Sequence, residues 1–274
     1  MNIALCFCVK DCEKYLPSIF KNIDSLKTLN YNFFCIFSYD NCKDKSEKLL
    51  IEYKEKHKDT VFLIKNVDNN AEFRTVRIAK ARNACLDIVY NKLKDISFHI
   101  MIDSDDSCSR TWKIDIIDKY LKNFDGDDWD AISFNIKKYY DIWALLFDEY
   151  YHQCWGYGDG GKIMRAMQKD IIKKLQNLPS NSTPVLSAFN GFAIYKTERF
   201  KGFHYDGLNE NFHPLITNNQ RNISIDFITK KHNLNIPKDI NILQKNKQCC
   251  EHLFYNVSAF KKGRIIKISK FSIM

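Results

Sequence analysis

The sequence has no glycine-rich G-x-x-x-x-G-K-[ST] loop to cradle phosphates. It has no G-x-S-x-G elbow to present a serine nucleophile either. Those absences leave catalysis to metal and carboxylates, or leave no catalysis. No apolar run approaches the ~20 residues that cross a bilayer. Ile3 to Val9 is apolar but short, has no basic residue ahead of it and lacks a small-residue cleavage site, so it reads as a first strand and not a signal peptide. No C-x-x-C pair occurs among the ten cysteines. Cysteines without regular spacing and without an export signal imply reduced thiols in a cytosol-like compartment. Cys249 and Cys250 are adjacent and could not easily bridge each other. No low-complexity linker and no repeat interrupts the 274 residues, which predicts one domain over 1–274, with a nucleotide-binding half (1–106) and an acceptor-side half (107–274).

What is present begins with charge. The formal net charge of +9 suits an anionic partner: nucleic acid, a nucleotide diphosphate or a membrane surface. Most of the basic residues are lysines scattered through helices, which is the pattern of a solvated face. Arg74, Arg77 and Arg82, grouped between Glu72 and Asn83, are different, because arginine makes bidentate contacts to phosphate.

Hydrophobic periodicity gives the first hundred residues a regular alternation. Strands are predicted at Ile3–Val9, Phe33–Tyr39, Val61–Ile64 and Phe98–Ile102. Helices are predicted around Tyr15–Ile23, over Glu47–His57 and over Arg77–Leu93. Such alternation signals a parallel sheet with helical crossovers, hence an α/β fold. Beyond it the pattern loosens. A helix is expected at Ile114–Leu121, strands at Ala131–Asn135 and Tyr139–Leu145, a mobile loop at Tyr150–Gly161 and a helix at Lys162–Leu178. A turn is expected at Pro179–Pro184, then a strand at Ser187–Tyr195 with a glycine inside it. An internal glycine marks a bulge or a close backbone approach. Lys261 to Met274 reads as a basic tail.

The fourth strand ends in three carboxylates, Asp103, Asp105 and Asp106. A buried strand would not tolerate them, because unpaired carboxylates are costly away from water. They must therefore emerge at its carboxyl end, where open α/β sheets bind ligands. Crowded carboxylates repel unless a cation or a proton sits between them. A hard divalent ion that also holds phosphate oxygens is the natural guest. The plain alternative is a helix cap by Asp106 or Ser107. Asp40 and Asp44 also follow a strand; they read either as partners for base and ribose hydroxyls or as an Asx turn plus a helix cap. Arg82, beside Ala81 and Cys85 in a buried-looking turn, is placed to reach the acids or phosphates from beneath. Asp125 to Asp130 reads as a surface turn in preference to a second metal site.

Asp103-Ser104-Asp105-Asp106 after an apolar strand resembles the D-x-D motif of GT-A nucleotide-sugar glycosyltransferases. Arg74-Thr75-Val76-Arg77-Ile78-Ala79-Lys80-Ala81-Arg82-Asn83 resembles the R-x-x-R-I-x-x-x-R-N block of capsule-associated mannosyltransferase-like and large-DNA-virus glycosyltransferases. Tyr140 to Leu145, Phe189 to Tyr195 and Cys250-Glu251-His252 resemble later blocks of that group, in the same order. The resemblance implies a GT-A fold: a mostly parallel central sheet flanked by helices, with a smaller mixed C-terminal part. It implies a nucleoside-diphosphate sugar, UDP- or GDP-linked, bound across strands one to four by Cys8, Lys10, Asp40, Asp44, Arg74, Arg77, Arg82, Asp103 and Ser104. Asp103 and Asp105 would hold Mn2+ or Mg2+, with His252 completing the shell. The motif register leaves Asp105-Asp106 as an alternative to Asp103-Asp105. Asp141, Trp143, Asn190 and Gly191 would line the donor-sugar and acceptor side, and Glu251 and Asp141 are the candidate catalytic residues, Glu251 as general base in an inverting enzyme.

The acceptor so implied is a glycan or a glycoprotein, as in viral capsid or surface glycan synthesis. The location implied is cytoplasmic, in the host cytoplasm if the chain is viral. Two other classes are distinguishable. A sugar-phosphate nucleotidyltransferase should carry a glycine-rich loop after strand one, where Val9-Lys10-Asp11-Cys12 has no glycine. A nucleic-acid-binding module would need a basic face with interleaved aromatics and has no use for clustered acids, so no nucleic-acid partner is expected.

Overall fold

In the computed structural model the described residues are 1–66, 71–122, 128–135, 139–154, 160–234, 236 and 246–274. Asp125 to Asp127 of the acidic turn and residues 155–159 of the expected mobile loop lie outside them. Strands β1 (Asn2–Val9), β2 (Asn32–Tyr39), β3 (Val61–Lys65) and β4 (Ile96–Asp103) alternate with helices α1 (Leu16–Leu26), α2 (Ser46–Lys56) and α3 (Arg74–Asn91). Then come α4 (Ile114–Leu121), β5 (Ala131–Asn135), α5 (Gly160–Gln176), β6 (Ser182–Val185), β7 (Phe192–Lys196), α6 (Thr197–Phe200), α7 (Asn209–Phe212), α8 (Asn218–His232), α9 (Glu251–Phe260) and β8 (Ile266–Ser272).

All eight strands join one sheet in the order β3-β2-β1-β4-β7-β5-β8-β6. The first four are mutually parallel, with β1 between β2 and β4. β7 runs antiparallel to both β4 and β5, β8 is parallel to β5, and β6 closes the edge antiparallel to β8. The expected α/β fold, a mostly parallel sheet with a mixed C-terminal part, is what forms. Central strands covered by helices on both faces must be apolar throughout. β4 follows this toward its end, where Ile100, Met101 and Ile102 are fully buried and exposure returns only at Asp103; its buried polar residue, His99, has ring nitrogens 3.3 Å from Thr197 Oγ1 and 3.1 Å from the Tyr255 hydroxyl. Each face of the sheet carries its own hydrophobic cluster, one around Leu5, Phe7 and Phe37, the other around Tyr195, Tyr255 and Leu253.

Several expectations fail for identifiable reasons. Tyr139–Leu145 is irregular and not a strand: the N–H groups of Tyr140 and Asp141 point to the Asn190 side chain, not to a neighbouring strand. The strand expected from Ser187 starts only at Phe192, because Asn190 and Gly191 turn with φ of +57° and +85°. Gly191 therefore lies before the strand. A close backbone approach is nonetheless present, since a Cβ there would stand 2.6 Å from the Tyr140 hydroxyl. The turn expected at Pro179–Pro184 contains β6, in which Pro184 is tolerated because the strand is at the sheet edge. Lys261–Met274 is not a tail: Ile266 and Ile268 are buried in β8 with Lys267 between them half exposed. Tyr150 and Cys154, at the start of the expected mobile loop, are buried in the core.

α8 escaped the periodicity reading because its face is weakly apolar. Its signal is local: Thr217 and Gln220 form a reciprocal capping box, and Asn233 ends the helix at φ +53°. Among the described residues no helix is long and apolar enough to cross a membrane. All ten cysteines are free thiols.

Candidate active site

A cleft of about 580 Å3 opens where β1, β2 and β4 end, lined on its acidic side by Asp103, Asp105, Asp141 and Glu251. β4 brings Asp103 there because its carboxyl end is where the apolar run stops. Its backbone N–H still donates to Gly191 O at 2.9 Å, so the acid is rigidly placed. Asp105 folds back on its own turn, accepting from Ser107 N at 3.0 Å and Ser107 Oγ at 2.5 Å. The cap expected of Asp106 or Ser107 does not form: the next helix starts at Ile114 with Lys113 at the cap position, and Asp106 is exposed.

Arg82 is the hub of the floor. Carried on α3, it is 4% exposed. It donates from Nε to Glu251 Oε1 at 2.9 Å and from Nη2 to Asp103 Oδ1 at 3.0 Å. Its guanidinium lies over the Phe189 ring at 4.7 Å, and its Nη1 has no partner. The sequence placed this arginine beneath the acids, and the structure puts it against two of them. Lys80, on the opposite face, is exposed.

Two carboxyls are strained electrostatically. Asp141 is pushed up to about 7 by burial and by repulsion from Asp103. Asp103 is pushed up to about 6 by burial and by Asp105, with Arg82 pulling the other way. That is the signature of crowded acids short of positive charge.

Glu251 and His252 open α9. Both are buried. The His252 ring, its Nε2 3.8 Å from Glu251 Oε1, stacks on Phe189 at 3.7 Å between centroids, and neither of its nitrogens makes a hydrogen bond. Burial and the Arg82 charge hold it neutral, the form a metal requires. Among the described residues, Asp103, Asp105 and His252 do not form a set with ligand atoms within 4.8 Å of one another. Asp11, Cys42 and Asp44 do. Those atoms already brace two loops: Asp11 accepts from Lys43 N at 2.6 Å, and Asp44 from Glu13 N and Ser46 N at 2.9 Å each. Asp44 thus makes the local turn bonds of its plainer reading.

The remaining residues divide by position. Cys8, Lys10 and Asp40 line the cleft at the ends of β1 and β2, with Lys10 Nζ 3.1 Å from Asp40 Oδ2. Despite burial, the Asn41 N–H and Lys10 keep Asp40 below its usual value. Arg74 and Arg77 line it at the start of α3, where Arg77 also donates to Ala71 O at 2.7 Å. Ser104 is buried beside Asp103. Asn190 locks Asp141 in place: its N–H donates to Asp141 Oδ2 at 3.1 Å, and its Nδ2 donates to Phe134 O at 2.9 Å.

Four contributors went unsingled in the sequence. Tyr140 caps the acids, its hydroxyl 3.0 Å from Ser107 Oγ and 3.4 Å from Asp103 Oδ2. Phe189 and Tyr205 flank Arg82. Gly207 lets the following segment press on α3: a Cβ there would stand 2.3 Å from the Thr75 carbonyl carbon. Aromatic density around Tyr205 was the visible signal; a lone glycine carried none.

No protein-family model and no curated protein matches the chain. Solved structures similar to it include S. aureus TarS 1–349, at 14% identity and TM-score 0.45 over 99% of this chain and 59% of that one. A mannosyltransferase from Pyrobaculum calidifontis, in complex with GDP-Man and Mn2+, matches at 13% and 0.41 over 73% and 47%. Glucosyl-3-phosphoglycerate synthase from Mycobacterium tuberculosis, with Mn2+, UDP and phosphoglyceric acid, matches at 10% and 0.42 over 84% and 64%. The chain spans less than two thirds of the length of each. At such identities and scores the likeness carries no weight about ligand or reaction.

Proposed function

We propose that the chain is a metal-dependent glycosyltransferase, moving a sugar from a UDP- or GDP-linked donor to a glycan or protein-linked acceptor. The observation that supports it is one cleft at the carboxyl ends of parallel strands, lined by six acids, a buried arginine and a neutral imidazole whose nitrogens make no hydrogen bond. The acids fit a hard divalent cation, because Asp103 and Asp141 are both driven toward protonation, first by burial and then by repulsion from neighbouring carboxylates.

In this reading Asp103 and Asp105 would hold Mn2+ or Mg2+, and His252 would join them only through a rearrangement that brings the three ligand atoms within reach of one ion. The bound ion neutralises charge on the leaving diphosphate. Asp40 meets ribose or base hydroxyls, with Cys8 and Lys10 beside it. Arg74 and Arg77 face the phosphates, where arginine adds bidentate charge. Arg82 orients Asp103 and Glu251. Asp141, Asn190 and Gly191 shape the donor-sugar side. In an inverting reaction Glu251 is the general base that takes the proton of the attacking hydroxyl, within hydrogen-bond reach. In a retaining reaction it orients that hydroxyl.

Calorimetric titration with UDP- and GDP-sugars, with manganese stepped in, tests the reading. One of the donors should bind, and tighten with manganese. Asp105→Asn should keep the melting temperature and lose that manganese dependence. A wild-type protein that binds no nucleotide sugar at any manganese concentration would end it.

A further inference from the structure

One side chain engages both acids at the end of β4. The Tyr140 hydroxyl lies 3.4 Å from Asp103 Oδ2 and 3.0 Å from Ser107 Oγ. Ser107 Oγ in turn donates to Asp105 Oδ1 at 2.5 Å, and Ser107 N donates to the same oxygen at 3.0 Å. The phenol is thus linked directly to Asp103 and, through Ser107, to Asp105. We propose that Tyr140 gates the ion site: its hydroxyl and a divalent ion exclude each other at Asp103 Oδ2, and the ring leaves the acids when an ion occupies them. The proposal rests on the metal-dependent reading given above.

The exclusion follows from which oxygens are open. Asp103 Oδ1 is held by Nη2 of the buried Arg82 at 3.0 Å. That leaves Oδ2 to face an ion, and Oδ2 is the oxygen the phenol reaches. Hard divalent ions draw on carboxylates, carbonyls and water, so the phenol gives up Oδ2 and does not join the shell. A phenol has one hydrogen to donate. Both acceptors within its reach, Asp103 Oδ2 and Ser107 Oγ, belong to the acidic turn.

The slot is shaped for the phenol and leaves it a way out. Gly191 stands beside the hydroxyl at φ +85°, where a Cβ would lie 2.6 Å from the phenol oxygen and 3.0 Å from Ser107 Oγ. Any side chain there would evict the hydroxyl. The main chain of Tyr140 is pinned, because Tyr140 N and Asp141 N both donate to Asn190 Oδ1 at 3.3 Å. The side chain is less confined: Tyr140 is 38% exposed and lines the cleft. Rotation about its own side-chain bonds therefore clears the acids while Asp141, the next residue, stays anchored through Asn190.

The test titrates the intact chain with Mn2+ alone and reads the free ion by its electron paramagnetic resonance. Tyr140→Phe keeps the ring and deletes the competing hydroxyl. Manganese should bind it roughly three- to tenfold more tightly than the parent, the equilibrium worth of one net hydrogen bond. Its melting temperature without ions checks the fold. A second readout follows the ring itself. In chain labelled with meta-fluorotyrosine, the fluorine resonance missing from Tyr140→Phe belongs to Tyr140. Saturating Mg2+ should raise the solvent-isotope shift of that resonance as the ring passes into water. Manganese binding by Tyr140→Phe that equals or falls below the parent's, or an unchanged isotope shift, overturns the gate alone and leaves the metal site standing. A parent chain that binds neither ion overturns both the gate and the metal-dependent function.

Discussion

Replacing Arg82 by methionine keeps most of the side-chain volume and deletes the charge. In the parent, its two ion-pair contacts are 2.9 and 3.0 Å long. At an effective dielectric of about 20, each gives roughly 5–6 kcal/mol of attraction, most of it offset by the cost of taking the charges from water. Deleting one partner keeps that cost and loses the attraction. Glu251, whose side chain is 6% exposed, and Asp103, at 25%, would then face each other without a counter-charge. Breaking a buried pair in this way costs about 3–5 kcal/mol, a drop of roughly 6–20 °C in melting temperature for a chain of this size. Urea titration at pH 8 without divalent cations measures it. The companion variant Glu251→Gln removes the stranded charge, so the double variant should regain about 1–3 kcal/mol relative to Arg82→Met alone. If Arg82→Met costs under about 1 kcal/mol, or the double variant is simply additive, the ion pairs are not what holds the floor of the cleft together.

Gly207→Ala should cost at least about 3 kcal/mol in urea, because its Cβ meets backbone at 2.3 Å and not a side chain that could swing away; an alteration under 1 kcal/mol would refute the close approach. Gly191→Ala should cost about 1–3 kcal/mol for a residue at φ +85° whose Cβ meets the Tyr140 hydroxyl, and tyrosine fluorescence should report the displaced ring. Stability should also fall in acid. Burial pushes His99 down to about 3 from its usual 6.5, so above pH 6.5 it costs nothing. Below that the unfolded chain binds a proton that the folded chain refuses, and at pH 5 this removes about 2 kcal/mol. His99→Gln should therefore lose about 2 kcal/mol less than the parent between pH 7.5 and pH 5; equal losses would mean the imidazole is not held neutral.

The parallel half of the sheet was legible because each strand is short, apolar and followed by polar turn residues. The acids were legible because charge cannot stay inside such a strand. Arg82 could be placed from its neighbours Ala81 and Cys85, which share its buried turn. The second half was harder to read. Lysines in β8 disguised an alternation of buried Ile266 and Ile268. Tyr139–Leu145 looks like a strand because it is apolar, yet its N–H groups are met by one side chain, Asn190, which no periodicity can reveal. Glu251 and His252 sit in the first turn of a helix whose only sequence mark is the apolar run that follows. What brings them to Arg82 is long-range packing, across 169 positions in the case of Glu251.

β6 pairs with β8, and among the described residues with no other strand. β6 ends at Val185 and its partner starts at Ile266, 81 positions later (266 − 185). At ribosomal rates of about 5–20 residues per second, β6 waits roughly 4–16 s with both edges unpaired. A waiting strand edge invites pairing with other chains. Pro184, which lacks an N–H, sits in the middle of that edge and makes it a poor template for any partner but its own. Replacing it with a β-former such as valine should leave the finished sheet intact and raise the aggregated fraction made during synthesis. The proline then belongs less to the folded protein than to the seconds before it is complete.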